Sequence, residues 1–216
     1  MQSRLTPLQT ALLDAFFRHE KRFFLTGGAA LAGFHLGHRE TQDLDLFVAS
    51  EDERVLEEGE SALQRAASDL GGSVEVVRTA IDFRRRLVKS GEKSVLVDLV
   101  RDRVPQLGPK SAQGEILVDP PREILANKLC TLVSRSEVRD LIDVRALEAT
   151  GLSIESALHD ASKKDAGISP AILSWILSSI AVPDGRQLPA GVAAPELRRW
   201  IDHLRETLAK MAWPTS

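Results

Sequence analysis

The stretch that most constrains the fold runs from Phe23 to Phe47, with the sequence FFLTGGAALAGFHLGHRETQDLDLF. An apolar run is followed by a Gly-Gly turn, a short helix-like segment and a second apolar run that carries two aspartates. Side chains two residues apart in an extended strand point to the same side. Asp43 and Asp45 are therefore expected to share one face of a strand, whereas Leu44 and Leu46 turn into the core.

Paired carboxylates of this kind suit a hard divalent cation. Two carboxylates about 6–7 Å apart along a strand can supply oxygen ligands, and the other positions are left to water and substrate phosphates. Glycines let the backbone approach a ligand closely, and free N–H groups at the start of a helix attract phosphate. The stretch therefore predicts a site for a triphosphate and a metal ion. The alternative is a turn with solvated aspartates.

The composition is that of a globular protein. Of the 216 residues, 43% are hydrophobic and 27% are charged, and the net charge of −3 does not by itself demand a nucleic-acid partner. Cys130 is the only cysteine, which excludes an internal disulfide and a cysteine-rich zinc site. There is no run of about 20 apolar residues and no apolar leader at the N-terminus. A cytoplasmic location without membrane association is therefore expected.

Hydrophobic periodicity predicts an α+β protein. A mixed sheet with flanking helices is expected over residues 1–118, followed by a helical domain over residues 119–216. The predicted strands cover 23–26, 44–48, 74–78, 83–88, 94–100 and 115–118. The predicted helices cover 7–19, 28–36, 54–70, 121–134, 138–150, 154–162, 170–180 and 195–211, with a loop over 182–191.

Asp98 is the third acid of the predicted sheet and lies within the apolar strand sequence VLVDLV. Burying an unpaired charge costs several kcal/mol, so Asp98 is expected to have a partner. If its strand lies beside the strand of Asp43 and Asp45, three carboxylates converge, as a two-metal site for nucleotidyl transfer requires. The alternative is an aspartate that faces solvent or pairs with Arg101 or Arg103.

Charged residues on two predicted helices form a second candidate group. Lys128 lies beside the apolar stripe of its helix, where its ammonium could neutralise triphosphate charge; the alternative is a solvated lysine. Asp140 and Asp143 are three residues apart and share a helix face. They could orient Lys128 or an acceptor substrate. Alternatively, Asp140 caps its helix and Asp143 pairs with Arg139.

A group of basic residues makes the middle of the predicted sheet locally positive: Arg78, Arg84, Arg85, Arg86, Lys89, Arg101 and Arg103. Clustered Lys and Arg residues are typical of nucleic-acid contacts. Strand alternation, however, would send Arg84 and Arg86 to one face and Arg85 to the other. A solvated strand face therefore explains the pattern equally well.

Taken together, the motifs resemble the AbiEii/AbiGii-type nucleotidyltransferases, toxins of bacterial abortive-infection and toxin–antitoxin systems. The resemblance runs from residue 23 to residue 147. It is carried by LTGGAAL at 25–31, LGHRETQDLDLF at 36–47, VD at 97–98, EILANKL at 123–129 and RDLID at 139–143.

This resemblance implies a polymerase-β-like fold and transfer of a nucleotide from an NTP to an acceptor, which for some members is the 3′ end of tRNA. It implies dependence on Mg²⁺, with Mn²⁺ as the alternative ion, and a cognate antitoxin as a partner. One departure stands out, because position 28 is glycine where the wider superfamily commonly has serine. A hydroxyl contact to phosphate is missing as a result.

The resemblance also implies roles for individual residues. Asp43 and Asp45 bind the metal, and Asp143, or otherwise Asp140, is a further essential acid. Asp98 joins the metal ligands through the strand argument given above. The nucleotide contacts are assigned to Thr26, Gly27, Gly28, Arg39 and Lys128.

Three functions are compatible with these motifs. The first is a toxin that transfers nucleotides to RNA such as the tRNA 3′ end. The second keeps the chemistry but modifies a small molecule or a protein side chain. The third is an inactive family member that acts as a binding module. The joint presence of Asp43, Asp45, Asp98 and Lys128 argues against the third, because a binding module has no need of these costly charges.

Overall fold

The computed structural model describes residues 2–183 and 188–213, and the chain divides into two compact units, residues 1–120 and 121–216. The helices of the first unit are α1 (Pro7–His19), α2 (Gly27–Ala30) and α3 (Val55–Asp69), and a π-helical turn, Leu31–His35, continues α2. Its strands are β1 (Phe24–Thr26), β2 (Asp43–Val48), β3 (Ser73–Ala80), β4 (Phe83–Ser90), β5 (Lys93–Arg101), β6 (Ser111–Gln113) and β7 (Ile116–Val118).

These strands form one mixed sheet in the order β3-β4-β5-β2-β1-β7-β6. The pairs β2–β5 and β1–β7 are parallel, and the other neighbouring pairs are antiparallel. The predicted alternation of β2 is confirmed, since Leu44 and Leu46 are buried whereas Asp43 and Asp45 are half-buried. The two aspartates therefore lie on the face of β2 that is not packed into the core.

Helices α1 and α3 contact each other and cover one face of the sheet. Helix α1 begins at Pro7, as predicted. Thr6 and Gln9 form a capping box at this start, which the sequence analysis did not predict. The aromatic rings of Phe16 and Phe23 meet edge-to-face in the core, with centroids 5.6 Å apart. The face of the sheet that carries Asp43 and Asp45 points away from this core.

The second unit is helical. It contains α4 (Pro121–Arg135), α5 (Val138–Glu148), α6 (Ile154–Lys164), α7 (Pro170–Ser179) and α8 (Ala194–Ala212), with a 3-10 turn at Pro189–Gly191. Apolar residues of α4, α5, α7 and α8 form its core, including Leu129, Leu141, Leu173 and Leu197. Residues 184–187 of the predicted loop over 182–191 lie outside the described part of the chain.

The structure differs from the sequence prediction in two elements. Strand β6 was not predicted, because three residues next to Gly114 show no alternation; it forms by pairing with β7. The helix predicted over 28–36 begins at Gly27 and changes to π-helical hydrogen bonding from Leu31. Single π-helical turns are often found at functional sites.

Candidate active site

Asp45 and Asp98 lie directly opposite each other on the neighbouring parallel strands β2 and β5. Asp43 lies opposite Leu96 in the same register. The prediction that the strand of Asp98 lies beside the strand of the paired aspartates is therefore confirmed. Asp43 and Asp45 share a face because they are two residues apart on one strand. Asp98 shares that face because it lies directly opposite Asp45 on the neighbouring strand.

The Gly-Gly turn lies against the carboxylate of Asp45. Thr26, the last residue of β1, is buried and pairs with Asp45 across the antiparallel β1–β2 ladder. Gly27 has φ +62°, and a Cβ added there would lie 2.3 Å from Oδ2 of Asp45. Only glycine fits both this backbone conformation and this close approach. The sequence thus brings a bare backbone and a carboxylate together.

Arg39 and Thr41 occupy the space beside Gly28. A Cβ at position 28 would lie 3.0 Å from Nη2 of Arg39 and 3.1 Å from Oγ1 of Thr41. The Thr41 hydroxyl also donates a hydrogen bond to Oδ1 of Asp43 at 3.1 Å. The arginine predicted to contact nucleotide therefore lies where a serine side chain at position 28 would point, and Thr41 orients the first aspartate.

Arg85 is the partner of Asp98. Its Nε lies 2.7 Å from Oδ1 and its Nη2 lies 2.6 Å from Oδ2, so the guanidinium fork engages both carboxylate oxygens. The hydrogen bond to Asp98, reinforced by the charges of Asp43 and Asp45, raises the pKa of Arg85. The expectation that Asp98 has a partner is confirmed. The suggested partners were wrong, because Arg101 and Arg103 both pair with Asp82.

The arginine run divides between the two faces of the sheet. Arg84 and Arg86 both pair with Glu60 of α3, on the helix-covered face, whereas Arg85 points to the aspartate face. The alternation predicted from the sequence is thus confirmed. Sequence reasoning missed the role of Arg85, since only strand pairing could show which carboxylate it would meet.

The donor set fits a hard cation, because carboxylate oxygens are the ligands that Mg²⁺ and Mn²⁺ prefer. Asp43 and Asp45 are half-buried and side by side on β2. Among residues 2–183 and 188–213, no three His, Cys, Asp or Glu side chains are grouped closely enough to hold a metal ion. The sheet thus presents three aspartates on one face, and the third of them, Asp98, is bonded to Arg85.

Lys128 of α4 is buried in the second unit and bonded to both acids of α5. Its Nζ lies 2.6 Å from Oδ1 of Asp140 and 2.8 Å from Oδ2 of Asp143. Only 6% of Lys128 is exposed, and neither aspartate is exposed. The alternative of a solvated lysine was therefore wrong, and both acids contact Lys128, which is one of the arrangements that the sequence left open.

Asp140 also pairs with Arg135. The Nε of Arg135 lies 2.9 Å from Oδ2 of Asp140. The alternatives for α5 were wrong: the N-cap residue is Glu137, and Arg139 pairs with Glu137 rather than with Asp143.

Although burial alone would lower the pKa of Lys128, the charges of Asp143 and Asp140 outweigh the effect of burial and raise that pKa. Burial opposes the ionised form of Asp140, but Lys128 and Arg135 hold its pKa below the ordinary value. Lys128 is accordingly a fixed positive charge at neutral pH.

The predicted site residues thus fall into two groups. One lies in the first unit and contains Thr26, Gly27, Gly28, Arg39, Asp43, Asp45 and Asp98. The other lies in the second unit and contains Lys128, Asp140 and Asp143.

A mixed sheet that carries a glycine turn beside two strand aspartates is what the resemblance to nucleotidyltransferases implies. The family described as "Nucleotidyl transferase AbiEii toxin, Type IV TA system" matches residues 11–209. The chain therefore belongs to the AbiEii family of nucleotidyltransferase toxins, as its motifs predicted. No curated protein sequence shows significant similarity to the chain.

Solved structures share the fold at low sequence identity. MenT4, the nucleotidyltransferase toxin Rv2826c from Mycobacterium tuberculosis H37Rv, is 18% identical with a TM-score of 0.61, covering 97% of this chain and 83% of that one. JHP933 from Helicobacter pylori is 19% identical with a TM-score of 0.53, covering 95% of this chain and 92% of that one. The predicted fold class is confirmed by these similarities.

None of the helices in the described part of the chain combines the length and the apolar character that crossing a membrane requires. The longest, α8, has 19 residues and alternates buried residues such as Leu197 and Leu204 with charged ones.

Proposed function

We propose that this chain transfers a nucleotide from an NTP to an RNA acceptor, such as the 3′ end of tRNA, with the help of a divalent cation. The observation that supports this most is the close approach of Gly27 to Asp45 beside Asp43 on β2. A polyphosphate could approach the turn backbone there, and the carboxylates beside it would hold a cation that neutralises phosphate charge.

Asp43 and Asp45 would hold the cation, Mg²⁺ or Mn²⁺. A bound divalent cation neutralises charge on the reacting phosphates and activates the attacking hydroxyl. Thr41 fixes one oxygen of Asp43 through its hydrogen bond, which leaves the other oxygen to ligate. Asp98 would be the third acid of the group, next to Asp45 on β5.

Arg39 and Lys128 would supply positive charge to the nucleotide. Arg39 lies beside Gly28 and can replace the hydroxyl contact that serine would make at that position. Lys128 carries a fixed charge because Asp140 and Asp143 hold it by direct contacts. The two acids of α5 would act through Lys128, as positioning residues.

Membership of a type IV toxin–antitoxin family implies a cognate antitoxin as well as a nucleotide substrate. The RNA acceptor is part of our proposal. It is supported by the basic and aromatic side chains on the aspartate face, where the guanidinium of Arg85 lies 5.7 Å from the ring centroid of Phe83.

The test is to incubate the protein with each of the four labelled NTPs, Mg²⁺ or Mn²⁺, and total RNA. We expect one class of RNA to acquire label, and the Asp43→Asn variant, shown by circular dichroism to be folded, to leave it unlabelled. Label on protein or on a small molecule would replace the RNA acceptor by another. Absence of transfer with every NTP and acceptor would contradict the proposal.

A further inference from the structure

The guanidinium of Arg85 continues a row of charged side chains across the sheet. Arg85 lies opposite Asp98 on β4 and β5, and Asp98 lies opposite Asp45 on β5 and β2. Neighbouring strands are about 4.8 Å apart. Arg85 therefore lies two strands away from Asp45, on the face where the proposed cation would bind.

The Arg85–Asp98 contact uses both oxygens of the carboxylate. The two N–O distances are 2.7 and 2.6 Å, which is the bidentate geometry that makes Arg–carboxylate pairs strong. Asp98 is 4% exposed. A cation that took Asp98 as a ligand would have to displace the guanidinium from a buried carboxylate.

We propose that Arg85 and a divalent cation compete for Asp98, so that the protein without nucleotide binds one cation, at Asp43 and Asp45, instead of two. This inference rests on the proposed function, because it takes Asp43 and Asp45 as the metal ligands. The arginine side chain supplies at Asp98 the positive charge that a second metal ion would otherwise supply.

Substitution of Arg84 is a matched control for substitution of Arg85. Arg84 is the preceding residue of the same strand, and its Nε lies 2.9 Å from Oε2 of Glu60 on the helix-covered face. Its substitution removes a similar charge and a similar ion pair without touching the aspartate face. A change in metal binding that is seen when Arg85 is substituted, but not when Arg84 is substituted, must therefore arise on the aspartate face.

The experiment is a Mn²⁺ titration of the nucleotide-free protein, in which electron paramagnetic resonance measures the free ion. We expect one site in the wild-type protein and in Arg84→Gln. Arg85→Gln should bind a second ion, or bind the first at least about tenfold tighter, because a nearby positive charge is removed and a carboxylate is released. Unchanged binding by Arg85→Gln, or two sites in the wild-type protein, would overturn the inference.

The double variant Arg85→Gln/Asp98→Asn tests the same inference without a buried unpaired charge. Replacing both partners of a buried pair is often nearly neutral for stability. If Asp98 is not a ligand in the wild-type protein, the double variant should bind Mn²⁺ with wild-type stoichiometry and within about threefold of wild-type affinity. An affinity at least about tenfold lower would make Asp98 a metal ligand and end the inference.

A third variant distinguishes failure of this inference from failure of the proposed function. Asp43→Asn should weaken Mn²⁺ binding at least about tenfold, since it removes a charged ligand. If it does not, the proposed metal site is wrong whatever Arg85 does, and the inference about Arg85 falls with it. If Asp43→Asn weakens binding and Arg85→Gln changes nothing, only the inference is wrong.

Discussion

The Nζ of Lys128 lies 2.6 Å from Oδ1 of Asp140, and both side chains are buried between α4 and α5. Asp143 makes a second contact to the same ammonium, at 2.8 Å. Burying an ion pair gives little net stability, but removing one partner leaves the other charge buried and unpaired. The second unit therefore loses stability if Lys128 alone is removed, and the lysine is also a candidate for contact with nucleotide.

We expect Lys128→Met to lower the free energy of unfolding by about 3–5 kcal/mol, because it leaves two buried carboxylates without this cation. Urea denaturation measures the loss. Lys163→Met is the control, since Lys163 is 45% exposed in its pair with Asp160 and should cost no more than about 1 kcal/mol. Equal losses for the two variants would contradict the importance of the buried pair.

Lys128→Arg tests the proposed role in catalysis, because it keeps the charge that the fold requires. We expect nucleotide transfer to fall at least about tenfold, since a planar fork replaces a compact ammonium. Transfer is measured at saturating Mg²⁺, below the melting temperature of the variant. Wild-type rates would remove Lys128 from the site.

Gly27→Ala should abolish transfer. A Cβ at this position would lie 2.3 Å from Oδ2 of Asp45, so the carboxylate must move, and the positive φ adds about 1–2 kcal/mol of strain. Gly91→Ala is a matched control, because Gly91 has φ +59° and no atom within 4 Å of the added Cβ. It should lose similar stability and keep its activity. Loss of transfer in both variants would mean that backbone strain alone is responsible.

Asp43→Asn should reduce the transfer rate by roughly 10³-fold, about 4 kcal/mol of transition-state stabilisation, while the fold is retained. Removing one of several like charges relieves repulsion in the metal-free protein, so its melting temperature should not fall. Rate measurements across a Mn²⁺ series, together with circular dichroism, check both statements. A variant that unfolds would make Asp43 a structural residue.

The stability of the second unit should fall in acid through Asp160. A hydrogen bond from Arg122, together with Lys163, holds the pKa of this aspartate at about 2 instead of the ordinary 3.8. Its contribution is therefore present above about pH 4 and is lost as the pH falls towards 2.

We therefore expect Asp160→Asn to have a lower melting temperature than the wild-type protein at pH 7. The difference should shrink as the pH is lowered from 4 to 2. Thermal melts at several pH values measure it. A difference that is constant over this pH range would show that the ion pair is not its cause.

The local pattern of residues was sufficient to predict most elements and the aspartate face. Alternation in an apolar run placed Asp43 and Asp45 on one side of β2, and the Thr6–Pro7 sequence determined where α1 begins. These features depend on neighbours in the chain, so the sequence contains their cause. The motifs also sufficed to indicate the family, which the match over residues 11–209 confirms.

Only the tertiary structure decided which charges meet. The arginines that the sequence suggested as partners of Asp98 were Arg101 and Arg103. The β4–β5 register brings Arg85 to Asp98 instead and leaves the other two arginines to Asp82. The sequence allowed Lys128 to be solvated. The packing of α4 against α5 instead buries it between Asp140 and Asp143. Strand register and helix packing join residues that are distant in the chain, and local periodicity carries no information about such pairs.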